Sequence, residues 1–185
     1  MSTLAKPAIT VKLEQASPAL RLVCVLIGTA ILALSSYIEV PMFPVPMTMQ
    51  TFAVTLIGAL YGWRLGAATV VAWLLEGAAG LPVLAGGSTG LPYFAGWTGG
   101  YLFSFPFAAA LTGWLAQRGW NGSRPLLAFA AMLSGNALCL LFGGAWLALL
   151  IGPDKALMLG VTPFVAGGIV KSALGAATMR AFARG

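Results

Sequence analysis

The sequence contains no histidine, only four acidic residues and only two cysteines among 185 residues. Charged side chains make up 8% of the chain, whereas a soluble domain carries about a quarter. Hydrophobic residues make up 59%, so too few polar side chains remain to cover a surface that faces water. The composition therefore predicts an integral membrane protein. Because the apolar runs are spread evenly, we expect a single membrane domain over residues 1–185.

The missing histidine excludes most of the catalysis that the motifs suggest. GGSTG at residues 86–90 matches the G-x-S-x-G pattern of serine hydrolases. That pattern needs a histidine to take the proton from Ser88, and Lys171 is the only remaining candidate base. The sequence also lacks a cluster of metal-ligating side chains and the G-x-x-x-x-G-K-[ST] nucleotide motif. We therefore predict a protein that is not an enzyme, does not itself hydrolyse ATP and needs no metal or cofactor.

The cysteines and the basic residues give no sign of a reactive site or of nucleic-acid binding. Cys24 and Cys139 lie far apart inside apolar runs, which is typical of small helix residues. The basic residues are scattered singly, so the formal charge of +6 does not indicate nucleic-acid binding. The partner that this composition predicts is the lipid bilayer.

Apolar runs of spanning length predict an all-α fold with six transmembrane helices, since one crossing needs about 20 residues. This helical bundle occupies residues 18–182 and follows a polar segment, residues 1–17. The start of the chain lacks the pattern of a cleaved signal peptide. The predicted helices cover residues 19–37, 48–60, 65–75, 100–117, 126–151 and 160–181.

The positions of the basic residues predict the orientation, because cytoplasmic loops carry an excess of Lys and Arg. With six spans, one side receives Lys155 together with Glu39, Glu76 and Asp154. Both termini, and residues 1–17, are therefore expected in the cytoplasm. The basic residues on that cytoplasmic side are Lys6, Lys12, Arg21, Arg64, Arg118, Arg124, Arg180 and Arg184.

The three connections predicted on the outer side are residues 38–47, 76–99 and 152–159. The first two are apolar and rich in proline or glycine, unlike loops that extend into water. Proline lacks an N–H donor and fixes φ, so the first connection cannot be helical. We expect these apolar outer loops to fold back over part of the protein.

Lys171 lies about ten residues into the last apolar run, where a lysine costs about 2.5 to 3.5 kcal/mol on insertion scales. It either extends to a membrane interface, pairs with a carboxylate such as Glu76, or forms a buried cation for an anionic ligand. Hydrogen-bonding and aromatic side chains near the outer helix ends favour a ligand pocket, although each alone is also typical of packing or of an aromatic belt. The candidate ligand-binding residues are Lys171, Gln50, Glu76, Trp97, Thr98, Tyr101 and Asn136.

Two further patterns keep alternatives open. TGGYL at residues 98–102 is similar to a potassium-channel filter, but it opens an apolar helix. A channel or facilitator for another small anionic solute is therefore the second hypothesis.

The first helix carries small residues at a spacing of four, which allows close approach of another helix, within the chain or on a partner. These partner-coupling candidates are Cys24, Gly28, Thr29 and Ala33.

Four motifs, in this order and spacing, resemble the BioY family of biotin transporters. They are PMTMQTFAV at residues 46–54, GLPVLAGG at 80–87, TGGYL at 98–102 and TPF at 162–164 followed by Lys171. The resemblance implies the substrate-binding subunit (S component) of an energy-coupling-factor (ECF) vitamin transporter in the cytoplasmic membrane of a prokaryote. Such a subunit has six helices and binds biotin beneath closed outer loops. It associates through its first helices with a transmembrane coupling subunit that two ATPases drive.

The resemblance also gives the candidate residues roles. Lys171 would pair with the biotin carboxylate, and Gln50, Asn136 or Thr98 would meet the ureido ring. The chain departs from the family pattern at two positions. Gly168 stands where the family has an aspartate, so a ligand contact of that aspartate would be either missing or supplied from elsewhere, such as by Glu76. Trp97 stands where the family has a proline before TGGYL.

Overall fold

The computed structural model of the chain describes residues 16–184. Most of the predicted polar segment, including Lys6 and Lys12, lies outside these residues. The described part is a bundle of α-helices with one two-stranded ribbon. Its elements are α1 (Pro18–Tyr37), β1 (Glu39–Val40), β2 (Met47–Thr48), α2 (Gln50–Tyr61), α3 (Trp63–Ala78), α4 (Leu91–Ala95), α5 (Gly99–Gln117), α6 (Pro125–Ile151), α7 (Pro153–Ala156) and α8 (Thr162–Arg184).

Within residues 16–184, three helical stretches are long and apolar enough to cross a membrane. They are α1, α6 and the continuous helical stretch from Pro153 to Arg184. The shorter α2 is also apolar, and its 12 residues lie close to the predicted range 48–60. Helical positions therefore agree with the sequence to within a few residues, while the six-span topology stays a prediction.

Local sequence explains where these helices begin and end. Ser17 caps α1 by accepting a hydrogen bond from Leu20 N, and Pro18 occupies the first helical position. Only Gly62 separates α2 from α3, and its φ of 82° requires a glycine. The turn predicted at residues 61–64 is thus a single residue wide.

The predicted connection at residues 152–159 is wrong, because the chain returns to helix at Pro153. Gly152, with φ 90°, is the break between α6 and α7. A π-helical turn, Leu157–Val161, then joins α7 to α8. Pro163 supplies no N–H to the carbonyl of Leu159, four residues earlier, so the wider turn fits the backbone at this point.

Glycine allows α2 and α5 to pack backbone to backbone. A Cβ atom on Gly58 would lie 2.3 Å from the Ala109 oxygen, and one on Gly113 would lie 2.6 Å from the Gly58 oxygen. Around this contact, large apolar side chains are fully buried, including Val54 and Trp73. The close approach holds α2 against α5, and both helices contribute to the site described below.

We expect Gly58→Ala to lower the stability of the bundle by about 1 to 3 kcal/mol, because its methyl group overlaps backbone atoms that cannot move alone. Gly168→Ala is a matched control in a helix, since the nearest atom to its Cβ would be Asn136 Cβ at 3.8 Å. Thermal unfolding in detergent, followed by circular dichroism, compares the two variants. Equal midpoints for Gly58→Ala and the wild type would contradict the packing described.

The small residues of α1 do not form one partner-facing surface. Gly28 packs inside the bundle, where its Cβ would lie 2.5 Å from Thr69 Cγ2, and Thr29 is buried as well. Ala33 packs against the core, and Cys24 is half-buried. For Gly28 and Thr29, the small size therefore serves close packing within the chain. The outward face of α1 carries larger apolar side chains, including Leu22, Leu26 and Leu34.

Candidate functional site

Two segments cover one end of the bundle. The first, the hairpin segment (residues 38–49), pairs β1 with β2 in antiparallel register, with Glu39 opposite Thr48. Its non-helical course was predicted from its three prolines, which lie between the two strands. The second, the glycine-rich segment (residues 79–98), contains a 3₁₀ turn and the short α4. It folds back over the bundle, as its apolar sequence predicted.

The glycine-rich segment is held by side chains from three helices. Tyr37 donates a hydrogen bond to the Pro82 carbonyl, and Trp73 Nε1 donates to the Val83 carbonyl at 3.0 Å. Trp146 Nε1 donates to the carbonyl of Gly96, also at 3.0 Å. These bonds satisfy carbonyl groups of irregular backbone, which membrane depth tolerates only when protein covers them.

The two segments touch above the bundle. The rings of Phe43 and Trp97 lie edge to face, with centroids 4.7 Å apart and planes at 82°. Trp97 is 41% exposed, so the pair lies at the surface. This contact joins the hairpin segment to the glycine-rich segment.

A cavity lies beneath the two segments. It holds about 590 Å³ of empty space, counting the part open at its mouth. Aromatic and aliphatic side chains form most of its wall, and a few polar groups converge on it. The lining residues are Val45, Pro46, Thr48, Gln50, Thr51, Ala85, Tyr93, Thr98, Tyr101, Leu102, Phe105, Asn136, Cys139, Leu140, Phe164, Gly168 and Lys171.

Lys171 crosses from α8 to the start of α2. Its Nζ donates hydrogen bonds to the Thr48 carbonyl at 2.5 Å and to Thr51 Oγ1 at 3.3 Å. The residue is only 9% exposed, so it does not extend to an interface. Both partners are neutral, and no carboxylate of residues 16–184 lines the cavity. An ammonium group has three donors, so one N–H remains for a ligand.

Gln50 is fixed at the first turn of α2 by its own hydrogen bonds. Its Nε2 donates to Ser36 Oγ at 2.9 Å, and its Oε1 accepts from Thr48 Oγ1 at 3.0 Å. Ser36 in turn donates to the Leu32 carbonyl. A side-chain amide has two N–H donors, so one of them remains for a ligand.

Asn136 and Tyr101 also line the cavity. Asn136 Nδ2 donates to the Met132 carbonyl at 3.0 Å and to Ser172 Oγ at 3.2 Å. The Tyr101 hydroxyl donates to the Gly160 carbonyl at 2.6 Å, and its ring lies 6.2 Å from that of Phe164. Tyr101 therefore presents mainly an aromatic face to the cavity.

Five of the predicted residues line this cavity, and two do not. Trp97 lies at the rim, where it contacts Phe43. Glu76 was expected near Lys171, but it lies on α3, which contributes no lining residue. The five that converge are Lys171, Gln50, Thr98, Tyr101 and Asn136.

Sequence reasoning missed two important lining residues. Thr51 supplies a hydrogen-bond acceptor for Lys171, and Phe164 supplies an aromatic wall. Thr51 follows Gln50 directly, so its hydroxyl was a visible candidate. Phe164 carries no polar signal and becomes recognisable only once α8 is placed beside α5.

The sequence matches the BioY family over residues 7–185. It is 36% identical over 144 residues to "Probable biotin transporter BioY" of Pyrococcus horikoshii, which covers 78% of this chain and 84% of that protein. It is 37% identical over 152 residues to "Biotin transporter BioY" of Rhizobium etli, covering 78% and 81% of the two chains. "Biotin transporter BioY2" of Lactococcus lactis is 35% identical over 155 residues, with coverage of 83% and 84%.

The fold is also similar to a solved structure, described as the S-component for biotin from an ECF-type ABC transporter. The match has a TM-score of 0.81 and 24% sequence identity, and it covers 90% of this chain and 92% of the other. At that identity the match concerns the fold. Together with the sequence matches over most of the chain, it gives one conclusion: the chain is a membrane protein that belongs to the BioY family.

Proposed function

We propose that this chain binds biotin as the substrate-specific subunit of an ECF-type transporter in the cytoplasmic membrane of a prokaryote. Family membership and the names of its relatives support this function. The observation that carries it is Lys171, a buried cation in a covered cavity with neutral hydrogen-bond partners. Burying such a charge is costly unless an anion compensates it.

The chemistry of biotin matches the groups that the cavity presents. Its carboxylate accepts from the free N–H of Lys171, in a charge-assisted hydrogen bond that low polarity strengthens. Its fused rings pack against aromatic faces such as Tyr101 and Phe164. The cavity therefore binds the ligand without performing a reaction on it.

We further propose six transmembrane spans with both termini in the cytoplasm. Gly122, in the loop between α5 and α6, packs against Met179 near the end of α8. That end of the bundle carries Arg118, Arg124, Arg180 and Arg184. The hairpin and glycine-rich segments lie at the other end, so the excess of basic residues supports a cavity that opens outward.

A transmembrane coupling subunit and two ATPase subunits complete the proposed transporter. The sequence lacks a nucleotide-binding motif, so energy for uptake has to come from such partners. Co-expression with a coupling module and purification through a tag on this chain tests the assembly. Recovery of this chain alone, from cells that contain all subunits, would contradict it.

Binding of labelled biotin to the purified chain tests the proposed function. We expect saturable binding without added ATP, displaced by unlabelled biotin, because the cavity is complete within one chain. Failure to bind at micromolar biotin in a folded sample would contradict the function. Ion or solute flux through the reconstituted chain alone would favour a channel or facilitator instead.

We expect Trp97→Ala to speed biotin dissociation by up to about tenfold, because an edge-to-face ring pair contributes about 0.5 to 1.5 kcal/mol. The pair with Phe43 holds the two covering segments together. Trp114→Ala is the control, since Trp114 is similarly exposed but contacts Arg118. Equal dissociation rates for both variants in a chase experiment would show that the ring pair does not retain the ligand.

A further inference from the structure

Two hydrogen bonds hold the Asn136 side chain in one orientation. Both protons of its amide nitrogen are used, one by Met132 O and the other by Ser172 Oγ. Ser172 is itself fixed, since it donates to the Gly168 carbonyl at 2.6 Å. The Asn136 Oδ1 atom is thus the group that remains, and Asn136 lines the cavity.

This oxygen is buried without a hydrogen-bond donor among residues 16–184. Asn136 is only 4% exposed, and leaving a buried acceptor unpaired costs about 1 to 3 kcal/mol. Lys171 does not bond this oxygen, since its Nζ donates to the Thr48 carbonyl in β2 and to Thr51 Oγ1 in α2. The cavity therefore has two separate polar points, a cation at Lys171 and a neutral acceptor at Asn136.

Gly168 leaves room beside this acceptor. It lines the cavity, and a Cβ atom there would have only Asn136 Cβ within 4 Å, at 3.8 Å. A larger residue at position 168 would place its side chain next to the Asn136 amide. In this chain, a ligand group can occupy that space.

We propose that Asn136 Oδ1 is a specificity-determining acceptor, which selects ligands that carry a neutral N–H group together with their carboxylate. This inference rests on the proposed function, because in biotin the N–H groups belong to the ureido ring. A site built around a buried hydrogen bond discriminates strongly against an analogue that lacks it, since the buried group is then left unpaired.

A double-mutant cycle between protein and ligand tests the inference. The probes are biotin and its two mono-N-methyl ureido derivatives, measured against the wild type and Asn136→Leu. On the wild type, we expect at least one methyl derivative to bind about tenfold or more weakly than biotin. On Asn136→Leu, we expect that derivative and biotin to bind nearly equally, because the acceptor is gone while the branching of the side chain at Cγ is kept.

The same loss on methylation in both proteins would overturn the inference, since it would indicate a steric effect unrelated to Asn136. In that case biotin would still bind the wild type, and the proposed function would stand. Absence of biotin binding by the folded wild type would overturn the proposed function and this inference with it.

Two further variants keep the test decisive if Asn136→Leu does not fold. Ser172→Ala removes the acceptor that orients the Asn136 amide but keeps its oxygen, so we expect a reduced loss on methylation. Unchanged discrimination in a folded Ser172→Ala would count against the inference. Asn121→Leu is the control. Asn121 lies in the loop before α6, where its amide donates to the Ala116 carbonyl and accepts from Ser123 N. We expect this variant to keep the full loss of affinity on methylation of biotin.

Discussion

Lys171→Met weakens biotin binding by at least about 30-fold and weakens binding of an uncharged biotin amide much less. Removing one partner of a buried, hydrogen-bonded charge pair costs about 2 to 5 kcal/mol. The amide has no negative charge to pair, so it loses only the hydrogen bond between the cation and a neutral acceptor, which is weaker than the bond to a carboxylate. We therefore expect the ratio of the affinity for biotin to the affinity for its amide to fall sharply. Equilibrium titration with both ligands measures this ratio.

Fold stability is expected to survive this change. Methionine keeps the apolar stem of the side chain, and removing the ammonium group removes the cost of burying it. Lys155→Met is the matched control, since Lys155 lies exposed in α7 and away from the cavity. If Lys171→Met lowers the affinity for biotin and for its amide equally, Lys171 does not bind the carboxylate.

Gly168→Asp lowers the preference for biotin over its amide by about 30-fold or more. Position 168 lies three residues before Lys171, so the two side chains share one helix face. Unit charges about 6 Å apart interact by about 2 to 3 kcal/mol at an effective dielectric constant of about 20. The new carboxylate would compensate Lys171 and repel the carboxylate of the ligand.

Gly168→Asn separates this charge effect from a change of shape. Asparagine has nearly the same size as aspartate, and the space beside Gly168 accepts a Cβ atom. We expect Gly168→Asn to keep most of the preference for biotin, with both variants folded by circular dichroism. If Gly168→Asp and Gly168→Asn shift the ratio equally, the effect is steric and the electrostatic account is wrong.

Much of the helical arrangement is predictable from the sequence, because the physical signals are local. Runs of apolar residues place α1, α5 and α6 within a residue or two at each end. Proline and glycine mark the boundaries at Pro125 and Gly62. The return to helix at Pro153 was not predicted, because a proline after a glycine is typical both of a loop and of a new helix start.

The site is predictable to the extent that it depends on charge. A lysine within an apolar run is costly, so the sequence alone identifies Lys171 as a candidate. Its true partners are a backbone carbonyl and Thr51, which only the crossing of α8 over the start of α2 brings together. Glu76 was misplaced for the same reason, since nothing local in the sequence tells that α3 contributes no residue to the cavity.

The small residues of α1 illustrate a different limit. Their spacing correctly indicates that another helix approaches closely, but it does not identify which one. In this chain Gly28 meets Thr69 of α3, so the close contact is internal. Association with a coupling subunit through α1, if the proposal holds, uses its outward apolar face.

The most direct test of the account is an experimental structure of the purified chain with biotin bound. We expect biotin in the cavity beneath the hairpin and glycine-rich segments, with its carboxylate within hydrogen-bond distance of Lys171 Nζ. Biotin bound outside this cavity, or with its carboxylate pointing away from Lys171, would contradict the central claim.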